Sequence, residues 1–205
     1  MPASPPEAGT GRTDGSSRAR IPVAFPIVLL VTGVIGWWAA FALTLDKIAV
    51  LKNPTAALDC NVSVLVQCGK NLASWQGALF GFPNPLIGLA AWVAPIVVGV
   101  SLLAGAVFAR WYWVVFNLGT AGAMAFIIWL SSQSIWVLGT LCPWCMVTWS
   151  VVIPLFLTVT ARNASEGVFG ARLRPIGRAV IPWLPLATIV CYLAIAAEAV
   201  LAFGV

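Results

Sequence analysis

Five long apolar stretches constrain this chain more than any other feature of it. A hydrocarbon core of about 30 Å takes about 20 helical residues to cross. Val23 to Leu45, Leu86 to Ala109, Trp111 to Leu130, Leu141 to Ala161 and Val180 to Phe203 all meet that length. With 61% hydrophobic and 8% charged residues, a water-soluble domain would expose more apolar surface than water tolerates. The expected fold is therefore an all-α integral membrane protein with five transmembrane helices, since the short alternating strands of a membrane barrel are not visible. Pro95, Pro154, Pro182 and Pro185 fall inside these spans, where neighbouring groups must satisfy the carbonyls that proline leaves free.

Basic residues set the orientation. Arg12, Arg18 and Arg20 precede the first span, Arg110 divides the second from the third, and Arg162, Arg172, Arg174 and Arg178 divide the fourth from the fifth. All eight arginines then lie on one side, which the positive-inside rule makes cytoplasmic. The loop from Asp46 to Pro85 has only Lys47, Lys52 and Lys70 against Asp46 and Asp59, and the turn from Ser131 to Thr140 is uncharged. Both are expected outside, as is the C-terminus. Trp111, Tyr112, Trp113 and Trp183 would mark the inner interface, and Trp129 and Trp136 the outer one. The net charge of +5 is thus mostly a topology signal, with no implication of nucleic-acid binding.

Residues 1–20, rich in Pro, Gly, Ser and Thr, have little to bury and read as a disordered cytoplasmic tail ahead of a transmembrane domain over 21–205. Ala40-Phe41-Ala42 has the form of a signal-peptide cleavage site. The run before it exceeds a typical h-region of about 7–15 residues and carries Trp37 and Trp38, so it reads as a span.

Four cysteines form two unlike pairs: Cys60 and Cys68 in the outer loop, and Cys142-Pro143-Trp144-Cys145 at the start of the fourth span. Disulfides persist outside the cytoplasmic membrane and are rare in the cytosol, and both pairs map to the outer side. The second pair opens a helix, where free N–H groups and the positive dipole end favour a thiolate. Pro143 suits the first turn, which has no intrahelical use for its missing N–H. Two dithiols at a membrane surface can pass electrons by thiol–disulfide exchange. Static disulfides, or a zinc or iron–sulfur site of four thiolates, remain alternatives, although seven residues between Cys60 and Cys68 exceed the usual zinc-ligand spacing of about 2–4. The chain has no histidine, which excludes His-ligated metals and Cys–His nucleophile pairs. Cys191, in mid-span, reads as a small apolar filler.

Cys60 and Cys68, Ser74 six residues on, Phe80-Gly81-Phe82-Pro83-Asn84-Pro85-Leu86-Ile87-Gly88, and Cys142-Pro143-Trp144-Cys145 together resemble the vitamin K epoxide reductase family in its bacterial branch. The likeness runs from about Asp59 to the end of the fourth span. DsbB-type oxidases, which are functionally similar, carry their C-x-x-C in the first outer loop, so the order here argues against them. The resemblance implies four helices bundled around a quinone (ubiquinone or menaquinone), an outer loop with a short surface helix as a lid, and a fifth helix alongside. It implies that Cys60 and Cys68 take electrons from a thioredoxin-fold (DsbA-like) extracytoplasmic protein, that Cys68 exchanges with Cys142, and that Cys145 is the thiolate beside the quinone ring. Ser74 and Asn84 match polar positions at the quinone; their local readings are a helix cap and a turn residue. Many bacterial members look fused to a thioredoxin-like domain after the fifth helix, whereas this chain ends at Val205, so the donor is expected to be a separate protein. The implied reaction generates disulfides in the bacterial cytoplasmic membrane.

Two other classes compete. A small transporter would place ionisable residues within its spans, and only Glu198, near an end and expected to snorkel outward, does so. A structural subunit would use the cysteines as fixed crosslinks. Asp59, beside Cys60, reads as a solvated charge that tunes the neighbouring thiol.

Overall fold

A computed structural model describes residues 23–204; the expected tail over residues 1–20 lies outside them. Five helical segments are long and apolar enough to span a membrane. The first is α1, Ala24–Lys52. The second is α3, Asn84–Ala91, continued by α4, Val93–Leu103. The third is α5, Arg110–Ser132, extended by a π-helical turn over Gln133–Leu138. The fourth is α6, Pro143–Ser165. In the fifth, a short α7, Arg174–Val180, precedes α8, Leu184–Phe203. The only β pairing among the described residues is an isolated parallel bridge between Val66 and Leu141.

Several boundaries differ from the sequence expectation, each for a local reason. At about 1.5 Å per residue, α1 is about 43 Å long, so its last turns stand beyond the hydrocarbon, and Asp46 and Lys47 lie on a helix instead of in the loop. The second span stops at Leu103, where Gly105 (φ 86°) adopts the left-handed conformation that ends the helix. It also breaks at Trp92, because Pro95 has no N–H to offer the carbonyl of Ala91. The third span runs on to Leu138 and ends at Gly139 (φ 63°). Pro182 lies in a 3₁₀ turn, Ile181–Trp183, that separates α7 from α8, and Pro185 sits in the first turn of α8.

Helix α6 is central, packing on α1, α5, α7 and α8, while α1 also packs on α3 and α4. Leu29, Val98, Ile153 and Val159 are fully buried where these helices meet. Gly36 faces the Trp92 indole so closely that any β-carbon would collide with it, and small residues at such crossings let membrane helices approach. Helices α5 and α3–α4 do not pack closely on each other, and the space between them becomes the main cavity.

Pro154 in α6 leaves the Ser150 carbonyl without its helical donor. The Tyr192 hydroxyl of α8 donates to that oxygen, which is the compensation expected for a proline within a span. Tyr192→Phe is therefore expected to cost about 1–3 kcal/mol, seen as a lower unfolding temperature of the detergent-solubilised protein. Cys191 is half-buried against the core, in keeping with a filler role.

Candidate active site

The connection between α1 and α3, residues 53–83, folds over the outer end of the bundle. Within it α2 covers Gly69–Ala73, and a 3₁₀ turn covers Trp75–Ala78. Two lysines pin this lid through its carbonyls and a neighbour's: Lys47 Nζ donates to Leu72 O, and Lys70 Nζ donates to Leu138 O at 2.6 Å. The bridge supplies the decisive register. Leu141 N donates to Leu65 O at 2.7 Å, and Gln67 N donates to Leu141 O at 2.9 Å. Gln67 stands immediately before Cys68 and Leu141 immediately before Cys142, so the pairing brings the two cysteines side by side. Asn61 fixes Cys68 from the other side, its Oδ1 accepting from Cys68 N at 3.0 Å and Gly69 N at 3.2 Å.

Cys60 and Cys68 are joined by a disulfide, with Cα atoms 5.7 Å apart. Cys142 and Cys145 are free thiols. Cys142 occupies the N-cap of α6 and Pro143 its first turn, as the sequence indicates. Its sulfur lies 3.5 Å from that of Cys68, and both residues are wholly excluded from solvent. A thiol this close to one sulfur of a disulfide is poised for exchange, since attack needs the two sulfurs in contact. A hydrogen bond from the Cys145 side chain holds the Cys142 thiol below the usual thiol range.

The acid beside Cys60 is Asp46, which sequence reasoning counted only as a charge. Asp46 Oδ2 lies 3.3 Å from Cys60 Sγ. Asp59, the chain neighbour, is exposed. The signal that would have found Asp46 is the length of α1, which carries its helical register past the hydrocarbon and over the loop. Asp46, Cys60 and Cys68 cluster tightly enough to suggest a metal site, yet two of the three ligand atoms are bonded to each other.

Beneath the lid, between α3–α4 and α5, lies a mostly apolar cavity of about 1130 Å³. Cys142 and Cys145 line it, as do Ser74 and Asn84. The last two also brace its roof. Ser74 caps the 3₁₀ turn, accepting from Gly77 N at 3.3 Å and donating to Asn71 O at 2.7 Å. Asn84 donates to Gln76 O at 2.6 Å and accepts from Leu79 N at 3.1 Å. Gln76, which sequence reasoning passed over, also lines the cavity; its Oε1 is buried and has no hydrogen-bond partner. Trp129, expected at the outer interface, is half-buried, lines the cavity and meets Trp75, ring centroids 5.9 Å apart. Trp113 is a correction: it is buried in the core while its neighbour Trp111 stays exposed.

The Vitamin K epoxide reductase family model matches residues 27–160, well over half of the chain. No curated protein matches it.

Proposed function

This chain belongs to the vitamin K epoxide reductase family, and on that premise we propose that it is a membrane thiol oxidoreductase that generates disulfides in an extracytoplasmic thioredoxin-fold protein and delivers the electrons to a membrane quinone. The observation that carries the reading is the 3.5 Å approach of Cys142 to one sulfur of the Cys60–Cys68 disulfide, at the edge of a large apolar cavity. Fixed crosslinks in a structural subunit would have no use for a free thiol there. The orientation rests on charge: Arg110, Arg162, Arg172, Arg174 and Arg178 flank the ends of the spans opposite the cysteines, and the positive-inside rule supports the outer face of a bacterial cytoplasmic membrane for the cysteines.

The electron path follows from thiol chemistry. A dithiol partner reduces the Cys60–Cys68 disulfide and leaves with a disulfide of its own. The Cys68 thiolate then attacks Cys142 in a Cys142–Cys145 disulfide and expels Cys145 as thiolate. Cys60, giving its proton to Asp46, attacks Cys68 and expels Cys142. A low-pKa thiol leaves faster, which is what the hydrogen bond from Cys145 provides at Cys142. The arrangement seen here, loop disulfide closed and C-x-x-C reduced, is the product of that step. Cys60 is 5% exposed and Cys68 0%, so the partner step requires the lid to lift from the bundle.

The cavity suits a quinone by its apolar walls and by the unpartnered Gln76 Oε1, which would accept from a hydroquinone hydroxyl, while Gln76 Nε2 donates to Gln133 Oε1 at 3.4 Å and keeps a second hydrogen for a quinone carbonyl. When bound there, a quinone supplies the sink for two electrons and two protons. Ser74 and Asn84 would face it while holding the roof in place.

The test is a turnover assay with purified protein, a reduced thioredoxin-fold dithiol protein and a soluble quinone analogue, followed by quinone absorbance. The wild type is expected to turn over, while Cys68→Ala and Cys142→Ala lose the reaction. Wild-type rates in both variants would overturn the assignment.

A further inference from the structure

The end of the bundle remote from the cysteines holds a second cavity, of about 310 Å³, with Arg110, Arg162, Arg174, Glu166 and Trp113 in its walls. The redox reaction makes no use of it. Arg110 is the first residue of α5, Arg162 lies in the last turn of α6, and Arg174 opens α7, so three helix ends bring three guanidinium groups together. Each makes few bonds. Arg110 Nε donates to Val168 O at 2.8 Å, Arg162 Nη1 to Asn163 Oδ1 at 3.1 Å, and Arg174 Nη2 to Glu166 O at 3.4 Å. A guanidinium has five donors, so most remain free. Among the described residues no carboxylate reaches ion-pair distance of the three. Glu166 lines the same cavity, and one negative against three positive charges leaves a net charge of +2.

Arg162 is the telling member. It is half-buried, with its guanidinium carbon 3.9 Å from the centroid of the Trp113 ring. Withdrawing a charge from water without an opposing charge is costly, and stacking on an indole returns only part of that. Arg174 is held over the same space by Gly167, where a β-carbon would collide with its guanidinium. Glu166 offsets one of the three charges, and the cluster keeps a net positive charge that an anion would neutralise.

The surroundings indicate which one. Trp111 and Trp183, 68% and 62% exposed, sit near the same ends of the helices, as interfacial tryptophans do. Phe108, Trp113 and Val168 make the remaining wall apolar. Guanidinium forks match phosphate oxygens in pairs. We propose that this cavity binds the phosphate of an anionic phospholipid from the adjacent leaflet, the net positive charge selecting it over a zwitterionic lipid.

The experiment is a lipid titration of the detergent-solubilised full chain, reading unfolding temperature and, by native mass spectrometry, retained lipid. Phosphatidylglycerol is expected to raise the unfolding temperature and to be retained, with phosphatidylcholine and inorganic phosphate doing neither. Arg162→Gln should raise the half-saturating phosphatidylglycerol concentration about tenfold or more, as for loss of a charge-assisted hydrogen bond. If that variant does not fold, the double variant Arg110→Gln with Arg174→Gln, whose side chains are exposed, gives the same reading. Arg172→Gln with Arg178→Gln, exposed arginines outside the cavity, should keep the wild-type midpoint. Equal losses in the cavity and control variants would reduce the effect to general surface charge and overturn the proposal. So would an equal response to inorganic phosphate, or no response to phosphatidylglycerol.

Discussion

Cys145→Ala is expected to lower quinone turnover by roughly a thousandfold or more, since acceptor-side chemistry needs a second sulfur to close the Cys142–Cys145 disulfide and a lone thiol cannot deliver an electron pair in this way. The same variant should reveal the relay. With the loop disulfide closed, the Cys142 sulfur 3.5 Å away can attack Cys68 and expel Cys60, and no Cys145 remains to reverse the bond from the helix side. Cys60 can still re-attack Cys68 and expel Cys142, so non-reducing peptide mapping after an acid quench should find Cys68 linked to Cys142 in part of the population. The pH dependence has a definite sign. Cys145 is the main cause of the lowered pKa of Cys142, so removing it raises that pKa, shrinks the thiolate fraction near neutrality and slows bridge formation. Raising the pH through the ordinary thiol range should restore it. Cys145→Ser, which keeps a hydrogen-bond donor, should form the bridge at lower pH than Cys145→Ala. Unchanged turnover, or a bridge from Cys60 to Cys142 in its place, would refute this order of exchange.

The two cysteine pairs and the five spans were legible because each signal is local. A span is a run of apolar residues, and a C-x-x-C at a helix start is a pattern four residues long. What stayed hidden depends on contacts between distant segments. The parallel bridge that brings Cys68 beside Cys142 joins Val66 to Leu141, and neither residue is distinctive in sequence. Trp113 looked like an interfacial anchor because composition alone cannot say which face of an apolar helix meets lipid and which meets the core. Ser74 and Asn84 were seen as polar residues with two readings, ligand or local brace. Their hydrogen bonds show the brace, and their place in the cavity wall leaves the ligand role as a proposal. Gln76 was silent because a glutamine in a polar loop says nothing until burial strands its oxygen.

Asp46→Asn is expected to slow the thiol relay by about a hundredfold, in the range that a positioned proton acceptor contributes. Cys60 must lose its proton before it can attack Cys68, and among the described residues the acid in contact with its sulfur is Asp46 at 3.3 Å. The amide keeps the size of the carboxylate but accepts no proton. Rapid-quench trapping should therefore show the Cys68–Cys142 bridge accumulating, because it forms before Cys60 is called upon. Deprotonation in the variant falls to hydroxide, so its rate should climb with pH until Cys60 ionises unaided, partly recovering the loss. A purely structural role for Asp46 would lower the rate equally at every pH and leave no bridge to trap. Asp59→Asn provides the contrast: its side chain is exposed, and the substitution should change turnover by less than about threefold, as expected of a charge screened by water. If Asp59→Asn instead reproduces the loss and Asp46→Asn does not, the acid that serves Cys60 is its chain neighbour, and the helical extension of α1 over the loop has no part in the chemistry.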